Sequence, residues 1–314
     1  MITGIHHVTA IASNAQRNVD FYSGVLGMRL VKKTVNFDDP GTYHLYYGDG
    51  MGRPGTILTF FPWPGASPGR RGTGQVATTL LSVPLGTLNW WKVHLLEQSV
   101  ALLPDSKVDT EGNGILFFDD PDGMRLGLAS DNAPGDGSGR GMIPPEFAIR
   151  GIWGVNLWEG RAEATRQFLR EVIGFSSDEE QVGFVAAKGQ SFDKVLVTVS
   201  DSTPGSALPR GLMGTGVVHH VAFRVADDAT QAEWREKLIG LGFHVSPVMD
   251  RNYFHSIYFR EPGGVLFEIA TDPPGFTVDE TEQSLGMGLK LPEQYEPLRE
   301  QLEEVLPTLV VPYV

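Results

Sequence analysis

One pattern recurs along this chain and limits what it can become. The opening stretch Gly4-Ile5-His6-His7-Val8-Thr9 returns almost unchanged as VVHHVAF at residues 217–223. Each copy begins a unit that reads strand, helix, then further strands. In the first unit, residues 5–12 are strand-like, and residues 14–26 carry apolar residues at helical spacing (Val19, Tyr22, Val25, Leu26) closed by Gly27. Strands are predicted at 29–36, 42–47 and 56–61. A second, more degenerate unit has a strand at 76–83, a helix at 88–97 and strands at 114–118 and 124–129 around Pro121-Asp122-Gly123. The third opens with Gly151-Ile152-Trp153-Gly154. Its helix, 163–173, ends at Gly174, and strands are predicted at 183–187 and 194–200. The fourth spans 216–271, with a helical segment ending in Gly240-Leu241-Gly242, a strand carrying Tyr258, a Pro262-Gly263-Gly264 turn and a last strand, 265–270. A β-α-β-β-β unit of this size cannot bury both faces alone, so units pair and their curved sheets enclose a cleft. The expectation is an α+β fold of four tandem modules, two per half: 1–135, 146–275, and a tail 276–314 with an amphipathic helix at 292–306. The Gly-, Pro- and Asp-rich stretch 130–146 is the linker.

Composition removes several functions. A net charge of −13 argues against nucleic acid or an anionic membrane as partner. With no cysteine there is no disulfide framework, thiolate metal site or cysteine nucleophile. No apolar stretch reaches ~18 residues and no leader-like segment opens the chain, so a soluble cytoplasmic protein is expected.

Glu268 is the anomaly of the fourth unit. It shares a strand face with Leu266 and Ala270, where an unpaired charge is costly. A bound cation would relieve that cost, and two histidine pairs are at hand. A single strand histidine is more often a hydrogen-bonded structural residue; two repeated pairs and a strand carboxylate reverse the odds. The repeats serve as their own alignment. Gly154 stands where the first unit has His7, and Gly127 stands where the fourth has Glu268. One site is therefore expected where the first and last units meet. The pleat sends neighbours to opposite faces, so one histidine of each pair faces the metal unless a bulge intervenes. His7 shares a face with Thr9, which could line the cleft, and His220 is the equivalent choice. Two His and one carboxylate with open positions suit a non-haem Fe(II) oxygenase. Counting from Pro54 as from Pro262 puts Phe60 where Glu268 would recur, so the first unit lacks a second carboxylate. His44, His94 and His244 read as structural or surface residues, whereas His255 could reach the cleft. Salt bridges to Asp250 or Glu261 are the plain alternative for Arg251.

Four such modules around one metal resemble the vicinal-oxygen-chelate (glyoxalase/bleomycin-resistance/extradiol-dioxygenase) superfamily. Over nearly its whole length the chain is similar to the ring-cleaving dioxygenases of hydroquinones. The shared features include HHVT at 6–9, Tyr43-His44-Leu45-Tyr46, Pro54-Gly55-Thr56, Gly86-Thr87-Leu88-Asn89-Trp90-Trp91 and the His219-His220 strand. They continue with Arg251-Asn252-Tyr253-Phe254, Tyr258, Pro262 to Glu268, and Gly275-Phe276-Thr277 with Ser284-Leu285-Gly286-Met287 in the tail. The resemblance implies Fe(II), with Mn(II) as a substitute, held by His7, His220 and Glu268. It also implies His6, Thr9, His219, Arg251 and Tyr258 around the substrate, and an aromatic substrate with O₂. Placing His6 and His219 there requires a bulge or contact from behind. The rivals are a glyoxalase-type isomerase or lyase and a metal-free binding or resistance protein. Oligomeric state is left open, since the tail helix could cap its own fold or a second chain.

Overall fold

The computed structural model describes residues 1–132, 137, 141–178, 183–185, 196–201 and 208–312. All four units are present. The first comprises β1 (Ile5–Ala12), α1 (Ala15–Val19), β2 (Arg29–Asn36), β3 (Asp39–Gly48) and β4 (Ile57–Pro62). The second has β5 (Gln75–Pro84), α2 (Leu88–Glu97), β6 (Lys107–Val108), β7 (Gly114–Asp119) and β8 (Arg125–Asp131). The third has β9 (Gly151–Glu159), α3 (Ala162–Gln167), β10 (Ser176–Asp178), β11 (Gly183–Val185) and β12 (Leu196–Asp201). The fourth has β13 (Val217–Val225), α4 (Asp228–Gly240), β14 (Met249–Asp250), β15 (Phe254–Arg260) and β16 (Leu266–Pro274). The sequence expectations for residues 186, 187, 194 and 195, and for much of the linker, lie outside the described residues.

Helices α1 and α3 each run on into a π turn, Asp20–Val25 and Phe168–Ile173. The match between Phe21-Tyr22…Gly27 and Phe168-Leu169…Gly174 is therefore a match in backbone as well as sequence. In each, an amide bonds five residues back, Leu26 to Phe21 and Gly174 to Leu169.

Among the described residues the strands form two eight-stranded sheets, and neither follows the sequential halves. One is ordered β14-β15-β16-β13-β1-β4-β3-β2 and joins the fourth unit to the first. The other, β10-β11-β12-β9-β5-β8-β7-β6, joins the third to the second. The seam of each is an antiparallel pair of first strands, β1 with β13 and β5 with β9. Tight turns lock one sheet onto the other. A Cβ at Gly216, where φ is +77°, would stand 1.9 Å from the Asp122 carbonyl oxygen of the second unit's turn. One at Gly263 would strike the Glu159 carboxylate, 2.0 Å from Oε2. Only glycine permits either approach.

The tail covers its own fold. Leu302 and Leu306 are buried in the main core, Tyr43 Oη donates to the Pro307 carbonyl, and Tyr295 Oη donates to the Phe37 carbonyl. The predicted amphipathic helix is a 3₁₀ segment, Glu293–Leu298, followed by α5 (Arg299–Val305). Phe276 and Leu285 fill a second apolar cluster with Val31, Tyr46, Tyr253 and Phe254. Lys32, fully buried, fastens that part of the tail through Asp279, Glu280 and the Phe276 carbonyl.

Candidate functional site

The seam between β1 and β13 carries two bulges. Ile5 pairs with Phe223 and His7 with Ala222, leaving His6 as the extra residue on β1. Thr9 pairs with His220 and Ala10 with Val218, leaving His219 as the extra residue on β13. Each histidine pair thus straddles a bulge, the irregularity needed for both members to serve one centre. Nε2 of His7 and Nε2 of His220 lie 3.3 Å apart. Glu268 Oε2 is 3.3 Å from the first and 2.9 Å from the second. All three side chains are buried, and this is the one His/Cys/Asp/Glu cluster among the described residues with metal-binding geometry.

The donors fit a cation. Glu268 Oε2 has no hydrogen-bond partner though it is buried, while Oε1 accepts from Ser256 Oγ at 2.5 Å. Burial alone would raise the Glu268 pKa, but the two histidines outweigh it and hold the carboxyl well below its usual range. His220, mainly through burial, is held below the ordinary imidazole value. The set is thus a carboxylate oxygen and two imidazole nitrogens facing one point, donors of the kind a divalent metal takes.

The neighbouring histidines fix the tautomers. His6 Nδ1 lies 2.9 Å from His7 Nδ1, and His219 Nδ1 lies 2.7 Å from His220 Nδ1. If Nε2 of His7 and His220 face a metal, their Nδ1 atoms carry the protons and donate to His6 and His219. Both acceptors must then be neutral. Burial, with help from His7, pushes His6 well below its ordinary value, and burial with His220 brings His219 to about 3.

A cavity of about 420 Å³ opens at His7 and His220, with Glu268 buried behind its wall. His219, Arg251 and Tyr258 are on its wall with His7 and His220; His6 and Thr9 are not. Thr9 is buried beneath, joined to Thr59 Oγ1 at 2.9 Å. Arg251 turns away from both partners considered for it. Its Nη2 lies 3.3 Å from Asp38 Oδ2, and its Nε donates to Tyr258 Oη at 3.4 Å. Burial works against its charge, but Tyr258, Asp38 and Glu268 together raise its pKa. Tyr258 is held protonated by burial and by the Glu268 charge. His255 is outside the cavity, bonded to Asp228 at 2.6 Å where α4 begins.

Two sequence readings need correction. Thr59, not Phe60, stands where Glu268 would recur. Glu268 pairs with Ala222, two residues past His220, and Thr59 pairs with Thr9, two residues past His7. The connection after Pro54 is one residue shorter than that after Pro262, so counting from the prolines slips the register by one. The conclusion that no second carboxylate is present still holds. His44 is not a surface or plain structural residue but part of the cavity wall. Its Nε2 lies 2.8 Å from Thr59 Oγ1 and its Nδ1 2.8 Å from Tyr46 Oη. Burial drives its pKa well down, keeping it neutral. The signal available was its period-2 spacing to Tyr46 in a strand next to β4. Ser256, also missed, is two residues from Tyr258 on the same strand face.

The second sheet repeats the seam without the chemistry. Bulges fall at Ala77 and Trp153, and Thr78, Gly154 and Gly127 occupy the positions of His220, His7 and Glu268.

This architecture, with one buried His-His-Glu cluster at the seam of paired modules, defines a class of protein. The sequence model of the Glyoxalase/Bleomycin resistance protein/Dioxygenase superfamily matches residues 4–128 and 152–269, and the chain belongs to that superfamily. It is 45% identical over 304 residues to the Bacillus subtilis (strain 168) protein named "Putative ring-cleaving dioxygenase MhqO", covering 96% of this chain and 95% of that one. It is 35% identical over 312 residues to the "Chlorohydroquinone/hydroquinone 1,2-dioxygenase" of Sphingobium indicum, with 96% and 95% coverage. A crystal structure described as a putative dioxygenase from Bacillus subtilis superposes with a TM-score of 0.89 at 42% identity, over 100% of this chain and 99% of the other.

Proposed function

We propose that this protein is an Fe(II)-dependent dioxygenase that opens the ring of a hydroquinone-type aromatic with O₂, with His7, His220 and Glu268 as ligands. The observation that carries the reading is the orphaned, buried Glu268 Oε2 facing two imidazole nitrogens beneath a ring-sized cavity. The Bacillus subtilis relative named "Putative ring-cleaving dioxygenase MhqO", 45% identical over almost its whole length, supports the reaction class. Bound there, the ion would supply a Lewis acid for a phenolic oxygen and an electron path between ring and O₂.

The remaining chemistry falls to the chain's own side chains. His6 and His219 hold the ligand imidazoles in one tautomer, and Ser256 holds the carboxylate so that Oε2 points inward. With His219 Nδ1 accepting, its proton sits on Nε2, a donor on the cavity wall. Tyr258 donates to a substrate oxygen, and Arg251 beside it stabilises negative charge as it develops. Thr9, tied to Thr59 and His44, braces the floor. Phe61, Trp63 and Phe254 offer apolar faces to an aromatic ring. Thr59 at the fourth ligand position leaves the centre with three protein donors, which favours oxygenase over isomerase chemistry.

The test is anaerobic reconstitution with Fe(II), then oxygen uptake with hydroquinone, methylhydroquinone, catechol and the methylglyoxal–glutathione adduct in parallel. Uptake with a hydroquinone, abolished by Glu268→Ala, supports the proposal. Turnover of the adduct alone would replace it with the isomerase.

A further inference from the structure

The cavity wall holds one cationic side chain, and that charge is already matched. Among the described residues, Arg251 is the sole Lys or Arg on the wall. The guanidinium is sunk, with 17% of its side chain exposed, whereas Asp38, its ion-pair partner, is 67% exposed. Asp38 therefore reaches in from the cavity mouth. It comes from the turn between β2 and β3, and Asp39, the first residue of β3, also lines the cavity. The turn is held from two sides: Asp38 N donates to Asn36 Oδ1 at 3.0 Å, and Tyr295 of the tail fastens the Phe37 carbonyl at 2.8 Å. Among the described residues, a ligand entering this mouth meets two carboxylates and one arginine already ion-paired, while the charge of the proposed metal lies at the floor beside His7 and His220.

We infer that Asp38 is a specificity determinant that excludes ring carboxylates, so that the substrates of this site are uncharged hydroquinones bearing apolar or neutral substituents. The inference rests on the proposed hydroquinone reading for the substrate ring, but its physical content is a charge filter at the mouth. A carboxylate substituent held at the mouth would compete with Asp38 for Arg251 and face Asp39, away from the proposed metal at the floor. Two like charges about 6 Å apart at an effective dielectric near 40 disfavour binding by about tenfold. Removing the Asp38 charge both lifts that repulsion and frees the Nη2 donor of Arg251.

The experiment compares two ligands of one shape, 2,5-dihydroxyphenylacetate and its amide, by isothermal titration onto the metal-loaded full chain under anaerobic conditions. Wild type, Asp38→Asn and Arg251→Gln are measured at fixed ionic strength. Wild type is expected to prefer the amide by about tenfold or more. Asp38→Asn is expected to shrink that preference at least fivefold, whereas Arg251→Gln leaves it in place or widens it. An unchanged amide-to-acid ratio in Asp38→Asn overturns the inference, as does a wild type that prefers the acid. Because the readout is binding, absence of turnover in the oxygen-uptake assay would count against the dioxygenase proposal without touching this result. Binding of both ligands with the ratio unaltered would sink the charge filter alone.

Discussion

Glu159 gives the sharpest quantitative test of how the two sheets are joined. Its carboxylate is fully buried with neither oxygen hydrogen-bonded, pressed under Gly263 of the fourth unit's turn. Glu261 of the same turn is buried too, accepting from Thr165 Oγ1 and the Val265 amide. Burial first, and the Glu261 charge second, push the Glu159 pKa from 4.5 up to about 8. The folded protein therefore keeps this proton to a higher pH than the unfolded chain does. Below pH ~4.5 both states are protonated and the group is silent; from there to about 8 stability falls as pH rises; beyond 8 the loss is complete. At about 1.4 kcal/mol per pH unit the ceiling is about 5 kcal/mol. Two carboxyls share the burden and solvent screening discounts it, so about 2 kcal/mol is expected at pH 8.5. Glu159→Gln removes the titration while keeping the shape. Thermal melts followed by circular dichroism at pH 5, 7 and 8.5 should show the variant level with wild type at pH 5. At pH 8.5 it should melt about 3–4 °C higher. An offset between variant and wild type that is the same at all three pH values would refute the reasoning.

Other predictions follow from single contacts. Ser256→Ala removes the donor to Glu268 Oε1 and should weaken metal affinity about 10–100-fold in a chelator competition, with the fold intact by circular dichroism. Lys32→Met leaves Asp279 and Glu280 without their cation and should cost about 3–5 kcal/mol, with protease cleavage near residues 279–287 as the readout; an uncleaved tail would contradict the fastening role. Thr59→Glu puts a carboxylate at the fourth ligand position, and metal should be retained longer against chelator while oxygen uptake drops at least about tenfold. Uptake at the wild-type level would show that the fourth position does not govern the chemistry.

Much of this molecule was legible because strands and helices write their periods into adjacent residues. The four units, the strands that carry the donor cluster and the absence of donors at Gly154 and Gly127 all came from aligning the repeats with one another. What was hidden depends on partners distant in sequence. The pairing of β1 with β13 is decided by which seam buries the His-His stretches and the turns, and nothing local in either strand names its partner. Local loop length misdirected the count to Phe60, because one residue fewer between turn and strand flips the face. Arg251 has carboxylates next door in sequence yet pairs with Asp38, 213 residues away. His44 looked unremarkable because its role comes from Thr59 and Tyr46, seen only when β3 and β4 lie side by side.

The seam of β1 with β13 also sets a timetable. His7 is separated from His220 by 213 positions, and Glu268 comes later still. On the ribosome, at about 5–20 residues per second, the first donor waits at least about ten seconds for its companions. Meanwhile the β1 edge has no partner, and the second and third units can pair first. A chain cut short anywhere before the last strand cannot assemble the three donors. A centre whose donors lie 213 positions apart therefore forms only after the first and fourth units have both been made.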